Sequence, residues 1–543
     1  MRYIQTLNGI WDFAFTSGIC PESPFKTDRP MVVPGCFDLL EPFCGKRGYA
    51  VYTRKVQASG TSILEIDGAG IAGDVFWNEK KIGSIKYAYM PNSFVFDAGD
   101  PGEHSLTIVL NNFHSEQFRA DFDFFAYGGI YGDVTLTSIP ADFISKVRIS
   151  TEDYKTGKIR IRAEYSRKGT VPVQLKFDTG FQFDTQFADG QLDCTLDLPE
   201  FKLWDLDSPA LHTITLKAGD DEVTETFGIR EFTAAGRKLL LNGKEVKLFG
   251  VNRHESHPTT GAAVPTQIMN SDIAMLKNAG FNFIRGSHYP QRKTLLELCD
   301  RMGLLVWEET LGWNIKAPTL AETEYVETQL EQAEEMTYQS FNHPCVVIRG
   351  FLNETDSQIP DIRPVVKALY DCIRAIDEHV LISLASNKYE ADVCTDLVDI
   401  VSMNPYPGWY DSNDESISTV DQVYPRLTAL SKAMPQDKPF LISEIGAEAL
   451  LGFRDPLKTY WTEEYQAELL LKVFEYVSQT DCAGVSIWQF ADTRSYVSGK
   501  GIFARARGFN NKGLVDEYRR PKLAWNELQK FLCNENINTG VKR

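Results

Sequence analysis

The second half of the chain constrains its fold most. From Arg237 onward, short apolar runs alternate with helical patterns. Phe281-Asn282-Phe283-Ile284-Arg285 precedes a helical segment from Lys293 to Met302, and Leu304-Leu305-Val306-Trp307-Glu308 follows it. Val380-Leu381-Ile382-Ser383-Leu384, Ile400-Val401-Ser402-Met403-Asn404 and Val485-Ser486-Ile487-Trp488 continue the series. Apolar runs of this length bounded by turn residues predict strands buried on both faces. Repeated strand–helix units over about 300 residues predict one (β/α)8 TIM barrel, placed here at residues 234–543.

Two of the predicted strands end in a glutamate. Val346-Val347-Ile348-Arg349-Gly350-Phe351-Leu352 runs into Asn353-Glu354, and Pro439-Phe440-Leu441-Ile442-Ser443 runs into Glu444. In a parallel barrel the chemistry sits where the strands end. Two carboxylates brought there by two strands are the apparatus of glycoside hydrolysis.

The first half has a different texture. Ser62-Ile63-Leu64-Glu65-Ile66-Asp67, Asp74-Val75-Phe76-Trp77-Asn78 and Ser105-Leu106-Thr107-Ile108-Val109-Leu110 predict short strands punctuated by Gly, Asn, Asp and Pro. They fit a jelly-roll-like β-sandwich over residues 1–140. Lys158 to Tyr165 and Thr213 to Leu216 alternate in the same way, and residues 141–233 fit an immunoglobulin-like sandwich. The last strands of the first sandwich are approached through Asp121-Phe122-Asp123-Phe124-Phe125-Ala126-Tyr127-Gly128-Gly129, which is strongly aromatic.

Composition narrows the partners. A net charge of −18 repels phosphate, which argues against nucleic acid and anionic membrane. An anionic substrate would need a local cation in its site. Neither a signal-peptide core nor a membrane-length apolar run is readable. The ten cysteines show no CxxC or zinc spacing, and Cys299 and Cys345 fall in apolar patterns, so a reduced, cytoplasmic setting is expected. No metal or organic cofactor motif is present.

Five landmarks in order carry a resemblance: Leu7-Asn8-Gly9-Ile10-Trp11-Asp12-Phe13, Gly250-Val251-Asn252-Arg253-His254-Glu255, Arg285-Gly286-Ser287-His288-Tyr289-Pro290, Asn353-Glu354 and Ser443-Glu444-Ile445-Gly446. On these the chain resembles glycoside hydrolase family 2, and within it the bacterial β-glucuronidases, along essentially its whole length. The resemblance implies a retaining mechanism with Glu354 as acid/base and Glu444 as nucleophile, their carboxyls roughly 5 Å apart. Glu354 should then carry a raised pKa, and donors should keep Glu444 ionised. Asn510 and Lys512, in Gly508-Phe509-Asn510-Asn511-Lys512-Gly513, fill the places of the pair that holds the sugar carboxylate. Arg505 and Arg507 are candidates for a second cation, and the sequence does not say which faces the site. The resemblance also assigns sugar contacts to Asn353, Tyr410, His288 and Asp123. It gives Tyr406 a hydrogen bond to the nucleophile and Trp488 a place beneath the ring.

The chain departs from the β-glucuronidase pattern at Ala126, at Gly128 and at Arg349, where the family has tryptophan. An arginine in an apolar strand needs a carboxylate partner, for which Glu308 and Glu309 are the candidates. Alternatively Arg349 reaches the sugar and alters the choice at C4. The expected function is an exo-acting β-glucuronidase, with β-galacturonidase or a dual-specificity β-hexuronidase as the alternative. A β-galactosidase, or an inactive carbohydrate-binding protein, fits less well. No long insertion forms a lid, which favours larger or oligosaccharide aglycones. Dimers and tetramers are common in the family, and the sequence leaves oligomeric state open.

Overall fold

The computed structural model describes residues 2–113, 124–410, 420–495 and 505–533. Its first part is built from two antiparallel sheets. One has six strands, in the order Arg29–Val33, Gly9–Thr16, Tyr49–Ala58, Gly102–Asn111, Ala72–Trp77 and Lys80–Ile85. The other has four: Tyr3–Thr6, Val134–Ser138, Thr61–Ile66 and Asn92–Asp97. Alternate residues point inward, and Trp11, Phe13, Tyr52, Leu64, Ile66 and Ile108 meet in one core.

Seven more strands, from Ile144–Asp153 to Asp221–Phe227, are hydrogen-bonded in one series. Between Gln182–Ala188 and Gln191–Asp197 the only register pair is Ala188 with Gln191. The sheet therefore folds over at that hairpin into layers of three and four strands. Ile159 and Ile161 of one layer pack with Leu175, Phe177 and Leu216 of the other, an immunoglobulin-like core. The clean alternation of Lys158–Tyr165 is reproduced in its burial, polar side chains out and apolar ones in.

A three-stranded meander over Phe232–Ala235, Lys238–Leu241 and Lys244–Val246 follows, so antiparallel β structure persists past the expected change of period. Its Phe232, Leu239, Leu241 and Val246 join the barrel's apolar core. Eight parallel strands then close a barrel. In order they are Leu248–Arg253, Phe283–Gly286, Leu305–Glu309, Val346–Gly350, Leu381–Ser386, Ile400–Met403, Phe440–Ile445 and Gly484–Ile487. Closure is between the first and eighth, with Leu248 opposite Gly484.

Aromatic side chains of the first sandwich brace the barrel mouth. Tyr89 stacks on Tyr289 with ring centroids 3.7 Å apart and 12° between planes. Phe124 packs 4.9 Å from His254 and 5.6 Å from Tyr289. The aromatic segment is thus, from Phe124 to Tyr127, a buried interface. Asp123 lies outside the described residues. Among the described residues no helix is long and apolar enough to cross a membrane.

Candidate active site

Strand parity decides which side chains enter the barrel. Residues level with one another on adjacent parallel strands point the same way. Arg285 is level with Trp307, and its guanidinium lies 4.9 Å over the Trp307 ring, inside. Glu309, two residues on, also points inside, whereas Glu308 and its register partner Arg349 point out.

Arg285 is fully buried and organises the interior. Its Nη1 donates to Glu444 Oε1 at 2.8 Å and to Asn252 Oδ1 at 3.1 Å. Its Nη2 donates to Glu309 Oε1 and Oε2 at 2.8 and 2.9 Å and to Asn353 Oδ1 at 2.9 Å. Tyr406 donates its hydroxyl to Glu444 Oε2 at 3.0 Å, as the resemblance implies. Each oxygen of Glu444 therefore has a donor. Burial nevertheless pushes the Glu444 carboxyl up to about 8, with Arg285 opposing the rise and the charge of Glu354 adding to it. The donors expected to hold this carboxyl in the ordinary range do not outweigh complete burial.

Glu354 sits just past the fourth strand. Asn404 Nδ2 bridges Glu354 Oε1 at 2.9 Å and Asn353 Oδ1 at 3.1 Å, and its own Oδ1 is fixed by the Ser443 hydroxyl at 2.7 Å. The Glu354 backbone has φ +52, a left-handed conformation that a side-chain-bearing residue adopts at a cost of about 1 kcal/mol or more. Its amide is held on Ala385 O at 2.8 Å. The backbone is thus fixed in a turn that the strand alone would not produce. Asn353 Nδ2 is buried and makes no hydrogen bond.

His288 lies within 3.0 Å of Glu309 Oε1 through Nδ1, and its Nε2 is 3.8 Å from Glu444 Oε1. Burial and the nearby Arg285 lower its pKa well below the usual value, so the ring is neutral, with Nδ1–H donated to Glu309 and Nε2 an acceptor. Trp488 stacks on His288 at 4.9 Å and 18°, and meets His254 edge-on at 5.3 Å.

A second cluster adjoins Tyr406. Lys512, only 1% exposed, places Nζ 2.7 Å from the Tyr410 hydroxyl and 3.2 Å from Glu448 Oε1. Tyr410 itself is half exposed, its ring 5.1 Å from Tyr406. Asn510 is buried beside Lys512, its Oδ1 accepting the Lys512 amide at 3.3 Å. Arg505 also pairs with Glu448 Oε1.

Two expectations are corrected. Arg349 is not at the sugar site. It lies on the outer face of the barrel, bonded to the Ser340 hydroxyl at 2.5 Å and 3.4 Å from Glu308 Oε2, with Asp377 3.7 Å from its Nε. Arg507 is directed instead to Glu517 at 2.9 Å, Asp492 at 3.2 Å and Asn511 at 2.8 Å. Sequence reasoning also missed Arg285, Glu309, Asn404 and Glu448. A lone arginine in the apolar strand Phe283–Gly286 is the signal that was applied to Arg349 and not to Arg285. It missed His254 too, whose Nε2 is buried without a hydrogen bond. Among the described residues, no group of three or more His, Cys, Asp or Glu side chains is arranged to hold a metal ion.

Comparison with known proteins matches residues 232–537 to the family model described as glycosyl hydrolases family 2, TIM barrel domain. Mouse β-glucuronidase is 29% identical over 420 residues, covering 74% of this chain and 63% of that protein, so the chain spans less than two thirds of this relative's length. The β-glucuronidase of Streptococcus agalactiae is 26% identical over 97% of this chain and 96% of its own. Among solved structures, a β-galacturonidase from Eisenbergiella tayi bound to galacturonate superposes with a TM-score of 0.89 at 30% identity, covering 98% of this chain and 97% of that one.

Proposed function

This chain belongs to glycoside hydrolase family 2, and from that premise we propose that it is a retaining exo-β-hexuronidase acting on terminal β-D-glucuronides. The observation that carries this reading is the pairing of two strand-end glutamates with a buried lysine in one mouth. Glu354 and Glu444 are close enough for the charge of one to shift the other, and Lys512 reaches Tyr410, whose ring touches Tyr406. A buried ammonium is what a C6 carboxylate requires in a protein of net charge −18.

In this reading one proton is shared by the glutamate pair at the start of the cycle. The charge of Glu354 is one of the causes that raise Glu444. With the shared proton on Glu354 that contribution is gone, and Glu444, with Arg285 and Tyr406 donating to it, is then taken as the ionised member and Glu354 as the acid. Glu444 attacks the anomeric carbon while Glu354 gives its proton to the leaving glycosidic oxygen, and a glycosyl-enzyme ester forms. Glu354, now ionised, takes a proton from water as that water attacks the same carbon, and Glu444 leaves as carboxylate. Tyr406 is held protonated by burial, so it remains a donor through both steps. Asn353 Nδ2 and the acceptor Nε2 of His288 are free to meet ring hydroxyls, and Trp488 is the platform for the ring. The catalytic domain would be residues 234–543, with residues 1–140 and 141–233 as the two β domains.

A β-galacturonide is the second reading, supported by the Eisenbergiella tayi neighbour at 30% identity over 98% of this chain. Both readings share Glu354, Glu444, Asn510 and Lys512 and differ only at C4. The test is mechanism-based labelling with a 2-deoxy-2-fluoro-β-hexuronyl fluoride, read by intact mass and peptide mapping. One fluorohexuronyl group on the peptide carrying Glu444 is the expected result. Labelling of a different carboxylate would remove the nucleophile assignment.

A further inference from the structure

In the reading above Glu354 gives its proton to the leaving oxygen, so the loops beside it meet the aglycone. Two loops do so, one from each neighbouring strand. The loop after the third strand begins at Trp313, whose ring lies 6.5 Å from that of His288 and whose backbone bridges to Asn353. Asn314 donates its amide to Asn353 O at 2.7 Å, and its Oδ1 accepts Lys316 Nζ at 2.7 Å. This loop therefore leads outward from the sugar pocket to a cation. The loop after the fifth strand is tied to the same segment from the other side. Ser386 Oγ accepts the Lys388 amide at 3.1 Å and lies 3.2 Å from Ser357 Oγ. Tyr389 donates its hydroxyl at 3.3 Å to the backbone oxygen of Asn404, the residue that holds Glu354.

Lys316 and Lys388 thus reach the acid/base segment from its two sides. Lys316 Nζ is 3.8 Å from Asp356 Oδ1, while Asp356 Oδ2 accepts the Ala317 amide at 3.0 Å. Lys388 is half-buried, and among the described residues its ammonium makes no hydrogen bond or ion pair. Burial lowers its pKa and the like charge of Lys316 lowers it further, with Asp356 and Glu354 opposing. Two like charges held near each other need a reason. Proton transfer does not supply one, because a cation near Glu354 favours the ionised carboxylate and works against its role as acid. An anion arriving with the substrate would pair with the ammoniums and offset their effect on Glu354.

We propose that Lys316 and Lys388 form an aglycone subsite for an anionic group. The preferred substrates are then hexuronides whose aglycone carries a carboxylate or a sulfate, as the next sugar of an acidic oligosaccharide does. The inference rests on Glu354 as the acid/base and deepens that reading by naming the class of leaving group. It is separate from Asn510 and Lys512, which take the carboxylate of the sugar being released. A chain of net charge −18 repels an acidic oligosaccharide at long range, and lysines flanking the acid supply attraction where the substrate has to dock.

The experiment measures kcat/KM for the parent, Lys316→Met, Lys388→Met and the double variant on two matched substrates. These are the carboxyphenyl and carbamoylphenyl glycosides of the β-hexuronide that the parent cleaves best, which differ chiefly in the charge of the aglycone. The parent should favour the carboxylate. The double variant should lower the ratio of the two rates by about five- to tenfold, the scale of one or two partly exposed ion pairs. Each single variant should fall between, and added salt should shrink the parent's preference. A phenyl glycoside carrying a sulfate ester, run in the same series, assigns the anion: a larger ratio than the carboxylate's names sulfate, a smaller one carboxylate. A parent that prefers the uncharged aglycone would overturn the proposal. So would a ratio unchanged in the double variant, including equal losses on both substrates, which is what a structural role or an effect on Glu354 alone produces. A parent enzyme that cleaves neither hexuronide would overturn the uronide reading itself, an outcome distinct from any effect of the two lysines.

Discussion

A carboxylate with a guanidinium on one oxygen and a phenol on the other, buried and raised to about 8, is held at a cost to stability. The sign follows from linkage: the folded state binds this proton more tightly than the unfolded chain, whose glutamate titrates near 4.5. Stability associated with Glu444 is therefore complete below about pH 4.5 and is lost as pH rises toward 8. Glu444→Gln removes that titration and leaves Arg285 paired with Glu309. Its melting temperature relative to the parent should climb by a few degrees between pH 5 and 8, while turnover falls at least a thousandfold. A difference that stays flat with pH would contradict the raised carboxyl. Lys512→Ala should remove about 2 to 4 kcal/mol of transition-state binding for uronides, roughly 30- to 1000-fold in kcat/KM, and far less for a neutral glycoside. Equal losses on both would remove the carboxylate-clamp reading. At this scale the two glutamates were legible because each ends an apolar run. Arg285, Glu309 and Asn404 were not, because their roles depend on which way a strand faces and on partners from distant strands.

The fourth barrel strand, Val346–Gly350, illustrates what an element adds to its residues. Its sequence raises the question of a buried Arg349 and offers two answers, a structural ion pair or a contact with the sugar. Parity settles it: level with Glu308, Arg349 points away from the barrel interior. Its replacement by methionine should lower stability by about 3 to 5 kcal/mol by orphaning Glu308, with KM changed less than twofold. A specific effect on KM, with the melting temperature unmoved, would contradict the outward placement. The same lesson holds at Arg505 and Arg507. Arg505 is extended and precedes the short turn Ala506–Gly508, whereas Arg507 lies within it at φ +64, with its side chain toward Glu517 and Asp492. Spacing in the sequence cannot reveal that reversal. Strand positions themselves were largely readable, since β-branched runs bounded by turns leave few alternatives. The antiparallel meander from Phe232 to Val246 was not, because three short strands capping the barrel share its apolar composition.

Across the whole molecule, an acidic chain of net charge −18 concentrates Lys512 and Arg505 at one mouth, which the first sandwich braces through Tyr89 and Phe124. The order of two β-sandwiches and a barrel was legible from the change of hydrophobic period. The contacts among them were not, since an aromatic segment such as Phe124 to Tyr127 reads equally as core or as interface. What the assembly is proposed to do is select an acid sugar and cleave its β-linkage. The most direct test is kcat/KM for four chromogenic substrates measured side by side: β-glucuronide, β-galacturonide, β-galactoside and β-glucoside. The account predicts that a uronide exceeds both neutral sugars by at least about a hundredfold, the worth of a buried charge-assisted contact. Preference between the two uronides then assigns C4. A neutral glycoside cleaved as fast as either uronide would contradict the central claim.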